Sequence, residues 1–361
     1  MDQVRYGIIG TGMMGVEHIA NLKALDGAAV VAAADPNPES RTAADSALGG
    51  SATLFTDHHE LLASGLCEAV VIAVPNDCHR DVLLDVAAHD VHFLVEKPFC
   101  VDVAQCREVI AATAGSDKVK WMGLEYRYKP PLARLLRHVS GGAVGAVRMV
   151  AIREHRFPFL GKVDHWNRFR RRSGGTLVEK CCHFFDLMTL IAGSEPVRVM
   201  ASGSQDVNHL EEVYADGMSD IIDNAYVVVE YANGVRTVLD LCMFAESGPW
   251  EQEVAVTGDT GKVEAFVPIE AGDGFGMVRI GSRAEGVLIE EEARDDSIAH
   301  VGMHSGASYL EHIDFLAAIR AGTPAKVTLE DGLTSVAVGQ AAHLSIDEGR
   351  IVEMSEILEA E

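Results

Sequence analysis

Arg5-Tyr6-Gly7-Ile8-Ile9-Gly10-Thr11-Gly12-Met13-Met14-Gly15 decides the fold of the first third of this chain. The apolar run reads as a first strand, the glycines as a tight turn, and Val16 to Leu25, with helical spacing, as the helix that follows. The first glycine permits the turn and the second lets the backbone approach a pyrophosphate. The third lets helix and strand pack closely, with N-terminal amides facing the phosphates. A second apolar run, Val30-Val31-Ala32-Ala33-Ala34, ends in Asp35, 20 residues past Gly15. That is the spacing at which a carboxylate reaches the adenine ribose hydroxyls. Gly10, Thr11, Gly12, Met13, Met14, Gly15 and Asp35 are therefore candidate cofactor-binding residues. A carboxylate at position 35 repels a 2′-phosphate, which favours NAD over NADP, while the nearby Arg41 leaves NADP as the alternative.

Outward from this turn, strand and helix alternate. A helix is expected around Glu39 to Ala47, a short strand near Leu54 and a helix around Glu60. The strand Ala69 to Val74 follows, then the turn Pro75-Asn76-Asp77 and a helix from His79 to Ala88. Asn76 and Asp77 also suit the N-cap of that helix. Pro75, Asn76 and His79 join the cofactor candidates. Next comes Val91-His92-Phe93-Leu94-Val95-Glu96-Lys97-Pro98. It reads as a buried parallel strand stopped by Pro98, which has no N–H to donate. In open α/β sheets ligands bind outside the carboxyl ends of the strands, so Glu96 and Lys97 stand where a ligand is anchored or acted upon. A helix from Asp102 to Ala114 and the strand Lys120 to Gly123 complete a doubly wound parallel sheet over residues 1–124.

After Gly123 the pattern changes. Glu125-Tyr126-Arg127-Tyr128-Lys129 crosses to a new unit, and prolines open a helix from Pro130 to Val139. Strands then come without intervening helices: Val147 to Glu154, Val197 to Ser202, Asn224 to Tyr231, Val235 to Phe244, Gln252 to Thr257, Val263 to Val267 and Met277 to Gly281. Asn233-Gly234 is a strong hairpin signal, and Asp259-Thr260-Gly261-Lys262 is a second turn. Residues 125–361 thus read as an α+β domain with a mostly antiparallel, open-faced sheet. One face is expected to cover the cofactor and the other to pair with a second subunit. Helices from His304 to Gly322 and Glu330 to Glu348, with a short strand Ile351 to Met354, are expected to pack back on the first domain.

Within this domain, Gly174-Gly175-Thr176-Leu177-Val178-Glu179-Lys180-Cys181-Cys182-His183-Phe184-Phe185-Asp186 predicts one helix, started at Ser173 and the glycines and closed by Gly193. On a continuous helix Glu179, His183 and Asp186 share a face, while Leu177, Cys181, Phe184 and Met188 form an apolar one. An imidazole beside a carboxylate holds a defined tautomer and exchanges a proton near neutral pH. A buried, structurally satisfied histidine fits the same pattern. Lys180, Cys181 and Cys182 read as packing or backbone-facing residues, and Arg168 to Arg172 as a solvated loop or a guide for an anion. Trp166 and Asn167, just ahead of the arginines, are candidate substrate-binding residues with Tyr126, Arg127 and His183.

Composition narrows the function classes. With 361 residues, two domains are expected. A formal net charge of −24 has the wrong sign for a phosphate-driven nucleic-acid binder. No apolar run approaches a bilayer span, so no membrane association is expected. The seven cysteines include no Cys-x-x-Cys pair, which argues against a disulfide framework and a zinc site; no metal is expected, and the setting is a reducing cytoplasm.

With Gly10 to Gly15, Glu96-Lys97-Pro98, and Gly174-Gly175 followed by His183 and Asp186 in place, the whole chain resembles the Gfo/Idh/MocA oxidoreductases, which include inositol dehydrogenases and glucose–fructose oxidoreductase. The resemblance implies that Lys97 lies between nicotinamide and substrate and that Tyr126-Arg127 lies near the domain junction. It also implies that His183, with an acidic residue four before it, completes the catalytic group. That residue is usually Asp in the family and is Glu179 here, and Cys181 stands where a small residue is usual. The implied activity is NAD(P)-dependent oxidation of a secondary hydroxyl on a cyclic polyol or sugar, or reduction of the ketone, by a homodimer or homotetramer. Lys97, His183 and Glu179 are the catalytic candidates. The rival readings are an NAD-dependent redox glycosidase and a nucleotide-sensing regulator without catalysis.

Overall fold

The all-apolar runs of the first third pair side by side. Strands β1 (Val4–Ile9), β2 (Ala28–Ala34), β3 (Thr53–Phe55), β4 (Ala69–Ile72), β5 (His92–Glu96) and β6 (Lys120–Gly123) form one sheet in the order β3-β2-β1-β4-β5-β6. Every pairing in it is parallel. The structure is a computed structural model that describes residues 3–269 and 276–359. It divides into two units, Met1–Glu125 with Ser297–Leu333 and Tyr126–Asp296 with Thr334–Glu361.

In the first unit the crossovers are α1 (Met13–Lys23), α2 (Pro38–Leu48), α3 (His58–Ala63), α4 (His79–Ala87) and α5 (Val103–Thr113). Their starts follow local chemistry: Asn37 caps α2 by accepting from the Glu39 and Ser40 amides, and Asp102 caps α5 by accepting from Gln105. The expected N-cap role of Asn76 and Asp77 does not hold. A 3₁₀ turn, Asn76–Cys78, intervenes, and Cys78 precedes α4 without a side-chain cap. Ile8, Val71 and Leu94 are fully buried in the sheet, as all-parallel strands covered on both faces require. Strand order reverses between β1 and β4, which makes the crevice outside their carboxyl ends the switch point. The helix Ala307–Ala321 also belongs to this unit. Its Phe315 packs edge-on against Tyr6, ring centroids 6.1 Å apart, and Glu311 accepts from the Trp121 indole at 3.2 Å.

The second unit opens with α6 (Pro130–Ser140) and β7 (Val147–His155), followed by α7 (Arg170–Ser173), α8 (Thr176–Glu179) and α9 (Cys182–Ala192). The remaining strands are β8 (Pro196–Ser204), β9 (Val213–Tyr214), β10 (Gly217–Met218), β11 (Asn224–Tyr231), β12 (Arg236–Cys242), β13 (Trp250–Gly258), β14 (Gly261–Pro268), β15 (Gly276–Ser282), β16 (Leu288–Ala293) and β17 (Val352–Glu353). Eight of them make a nine-stranded sheet with β7, in the order β16-β15-β14-β13-β7-β12-β11-β8-β17, antiparallel except where β12 runs parallel to β7. The Asn233-Gly234 turn joins β11 to β12 with Gly234 at φ 84° and Val235 N–H donating to Asn233 Oδ1. Strand β16 escapes the sequence pattern because its Glu290 to Glu292 run looks solvated; it is held by Arg279 on Glu290 and His138 on Glu291.

The single helix expected from Ser173 to Gly193 is two pieces, α8 and α9, with the short α7 ahead of them. Gly174 and Gly175 both sit at φ 84°, which ends α7 before α8 begins. A Cβ at Gly175 would stand 2.4 Å from His343 Nε2, so only glycine fits. The chain breaks again at Lys180-Cys181, where Lys180 turns to Glu154 with Nζ 2.8 Å from Oε1. Helix α9 then buries Phe184, Phe185, Leu187 and Met188 almost completely. Among the described residues no helix is long and apolar enough to cross a membrane.

Candidate active site

At the switch point of the first unit the three glycines have separate reasons. A Cβ at Gly10 (φ 86°) would meet Ala73 O at 2.6 Å, and one at Gly15 would meet Gly10 O at 2.1 Å. At Gly12 it would meet nothing within 4 Å. Two glycines thus serve the protein's own packing, and the middle one leaves space for an approaching group. Asp35 is fixed beside this turn, Oδ2 accepting from Thr11 N–H at 2.7 Å and Oδ1 from Asn37 N–H at 2.8 Å. Among the described residues the buried Thr11 hydroxyl has no hydrogen-bond partner. Met13, exposed, and Met14 open α1. These residues fit a dinucleotide: open backbone for the pyrophosphate, a helix start behind it and a carboxylate for the ribose. Arg41 donates to the Asp35 and Pro36 carbonyls at 2.6 and 2.9 Å and so braces the turn that carries Asp35.

Strand β5 delivers Glu96 and Lys97 two strands from β1 in the same sheet. Glu96 is buried; its Oε1 lies 2.9 Å from His18 Nε2, and its Oε2 accepts from Lys97 N–H at 3.1 Å. His18 Nδ1 lies 2.8 Å from His312 Nε2, and both rings are buried. Burial, then the charge of His18, hold His312 well below the usual imidazole range. His18 thus bridges the neutral His312 ring and the Glu96 carboxylate. Burial alone would raise the Glu96 carboxyl, but the His18 hydrogen bond and the charges of His18 and Lys97 outweigh it and hold it at about 2. Lys97 therefore follows a carboxylate that is ionised at neutral pH. His79 is fully buried with Nδ1 2.8 Å from Pro98 O and Nε2 3.1 Å from Val74 O, bracing the ends of β4 and β5. Asn76 is buried in the 3₁₀ turn after Pro75. His18 and His312 escaped the sequence reading because a histidine on a buried helix face looks like any core residue.

In the second unit Tyr126, Arg127, Glu179, His183 and Asp186 come together around the start of α9. The break at Lys180-Cys181 puts Glu179 on α8 and His183 and Asp186 on α9, so the expected single helical face is divided. Arg127 Nε donates to Asp186 Oδ2 at 2.7 Å, with a second bond from its guanidinium to Oδ1. The Tyr126 ring stacks on His183, and its hydroxyl accepts from Lys180 Nζ at 2.8 Å. Lys180, expected to be a packing residue, is instead an ion-pair partner of the fully buried Glu154. Lys129 Nζ stands 3.9 Å from the centre of the Tyr126 ring and 3.3 Å from Gln252 Oε1. Arg156 completes this buried cluster, 3.5 Å from Glu154 and 3.9 Å from Glu251. Burial disfavours its cation, but the charges of Glu154, Glu251 and Glu179 outweigh that and raise its pKa. Burial pushes the Tyr126 phenol up, so it stays protonated.

Trp166 and Asn167 are buried in a 3₁₀ turn, Val163–Arg168, with Asn167 Nδ2 donating to Leu160 O at 2.9 Å. The arginines after them are not a simple solvated loop. Arg168 is buried against Glu212, Arg170 pairs with Asp347 and Arg171 with Asp216. Lys129, Glu154, Arg156 and Glu251 were missed. One signal was available: Val150, Ile152 and Glu154 alternate onto the buried face of β7, and a carboxylate continuing that alternation needs a buried partner.

Comparison with known proteins agrees with this geometry. Residues 4–124 match the model for the oxidoreductase family NAD-binding Rossmann fold, and residues 137–354 match that for the family's C-terminal alpha/beta domain. The chain is 27% identical over 359 residues to a myo-inositol 2-dehydrogenase of Thermotoga maritima, covering 98% of this chain and 100% of that one. It is 26% identical over 356 residues to an inositol 2-dehydrogenase of Rhizobium meliloti, covering 98% and 99%. A levoglucosan dehydrogenase solved with NADH and levoglucosan has the same fold, with a TM-score of 0.84 at 18% identity over 98% of this chain and all of that one. The chain belongs to the Gfo/Idh/MocA family of NAD(P)-dependent oxidoreductases, and its first third is that family's NAD-binding Rossmann domain.

Proposed function

We propose that this enzyme catalyses the reversible oxidation of a secondary hydroxyl on a cyclic polyol or sugar, with NAD rather than NADP. The observation that carries the reading is Lys97 at the carboxyl end of β5, tied through Glu96 to the buried His18–His312 pair. The full-length similarity to dehydrogenases named for inositol supports the substrate class. Bound NAD supplies the acceptor for the hydride that leaves the carbinol carbon. The Lys97 ammonium donates to the reacting oxygen and stabilises developing alkoxide charge. His183 accepts the hydroxyl proton as general base, with Glu179 setting its tautomer. Arg127, Trp166 and Asn167 orient the other hydroxyls, and Tyr126 holds the His183 ring. Preference for NAD rests on the Asp35 carboxylate, and on Arg41 being engaged by backbone carbonyls.

The assembly in this reading is a homodimer or homotetramer. Met149 on β7, Met200 on β8 and Tyr226 on β11 share one face of the sheet and are 58%, 52% and 63% exposed, which suits a face that pairs with a second copy. The seven free thiols suit a reducing cytoplasm. The test is a screen of inositols, aldoses, keto-sugars and aryl glycosides with NAD and NADP, followed by absorbance of the reduced cofactor. Net NADH from a free polyol or sugar is expected. Aglycone release without net NADH would favour the redox glycosidase, and no turnover of any compound would contradict the proposal.

A further inference from the structure

Asp57, His58 and His59 at the start of α3 and Asp85 on α4 form a cluster with no part in the chemistry above. One ligand atom from each of Asp57, His58 and His59 lies within 4.8 Å of the others. Asp85 Oδ2 stands 2.9 Å from His58 Nε2 and 3.1 Å from His59 Nε2. On the other edge of the rings Asp57 Oδ1 stands 2.7 Å from His59 Nδ1 and 3.5 Å from His58 Nδ1. The two imidazoles lie 4.1 Å apart, tilted by 36°.

Two carboxylates bracket the ring pair, one at each edge. A neutral imidazole carries one N–H, yet His59 faces a carboxylate oxygen at both ring nitrogens. A divalent ion at the Nε2 edge would be met by both Nε2 atoms and by Asp85 together. Both rings then stay neutral, with their Nδ1–H groups free to point at Asp57, and Asp85 is neutralised by the metal. The two Asp85 spacings are also suitable, since donors about 2.0–2.1 Å from a common ion stand roughly 3–3.5 Å apart. A carboxylate receiving the far ring N–H of a metal-bound histidine is the usual orienting partner of such sites.

We propose that His58 Nε2, His59 Nε2 and Asp85 bind a divalent transition-metal ion of the zinc class, with Asp57 orienting the imidazoles. Imidazole and carboxylate donors suit zinc, nickel or cobalt, and water completes the coordination. The cysteine spacing that argued against a zinc site is silent on this donor set. The ion clips α3 to α4 on the nucleotide-binding unit, so its effect is on stability rather than on hydride transfer, and the inference stands apart from the proposed activity.

The test is calorimetric titration of zinc chloride into the full-length, chelator-treated protein, repeated on H59A, D85N and D57N. One ion per chain is expected for the native protein, with affinity at least tenfold weaker in H59A and D85N. In D57N the stoichiometry is expected to hold while affinity falls about 10–100-fold. Zinc should raise the melting temperature of the native protein and leave that of D85N unchanged, while all four proteins melt alike in chelator. Binding that is absent from the native protein at millimolar zinc, or equal in native protein and D85N, overturns the proposal.

Discussion

The rings of Tyr126 and His183 lie face to face, centroids 3.8 Å apart and planes within 3° of parallel. Tyr126 is itself held by Lys180 on its hydroxyl and Lys129 beside its ring, and Lys180 is anchored on Glu154. The plane of the His183 imidazole is thus set by a buried ionic scaffold, where a small displacement of a proton-transfer group is costly. Replacing Tyr126 by Ala should lower kcat about 10²-fold, with NAD affinity unchanged. Tyr126→Phe keeps the stack and should lose less than about tenfold, as one hydrogen bond is worth about 1 kcal/mol. Steady-state kinetics with a fluorescence titration of NAD checks both. Native turnover in Tyr126→Ala would remove Tyr126 from the account.

The Glu96–His18 bond leads to a second expectation. His18→Ala leaves a buried, ionised carboxylate without its imidazole partner, and should destabilise the protein by about 1–3 kcal/mol or more. Because the Glu96 carboxylate also receives the Lys97 amide, turnover should fall as well. Urea unfolding of the variant reads the first effect, and an unchanged midpoint would show that the bond carries no net stabilisation.

Much of the first unit was legible in the sequence because its signals are local. Gly10, Gly12 and Gly15 need only a turn and a close approach, and the runs at Val30, Ala69 and Phe93 are apolar on both faces as parallel strands must be. The partners of those residues were not legible. His18 and His312 are 294 positions apart, and nothing local distinguishes either from a packed core histidine. The second unit shows the same limit at Lys180: helical periodicity placed it with the packing residues, but a long-range ion pair with Glu154 on β7 coincides with a break in the helix. Periodicity reads faces well and reads interruptions of an element poorly.

Acid should weaken this fold through His343. Burial first, and the Arg170 charge second, hold its pKa at about 3 against an ordinary 6.5, while its Nε2 accepts from Leu177 N–H at 3.1 Å. The unfolded chain binds a proton at His343 below 6.5 and the folded chain does not until near 3. Stability from this residue is therefore complete above 6.5 and declines as pH falls towards 3, by up to about 1.4 kcal/mol per pH unit. His343→Gln, which keeps a hydrogen-bond acceptor, should flatten that slope by about one proton's worth. Urea unfolding at several pH values between neutrality and mild acid measures it, and identical slopes in variant and native protein would contradict the assignment.

The role of Lys97 is read by single-turnover formation of NADH from a polyol substrate identified in the screen, compared between native protein and Lys97→Met at saturating NAD. Lys97→Met is expected to bind NAD as the native protein does and to form NADH about 10²–10⁴-fold more slowly, the range typical of a lost proton-transfer or oxyanion-stabilising group. NADH formation at the native rate in Lys97→Met would contradict it.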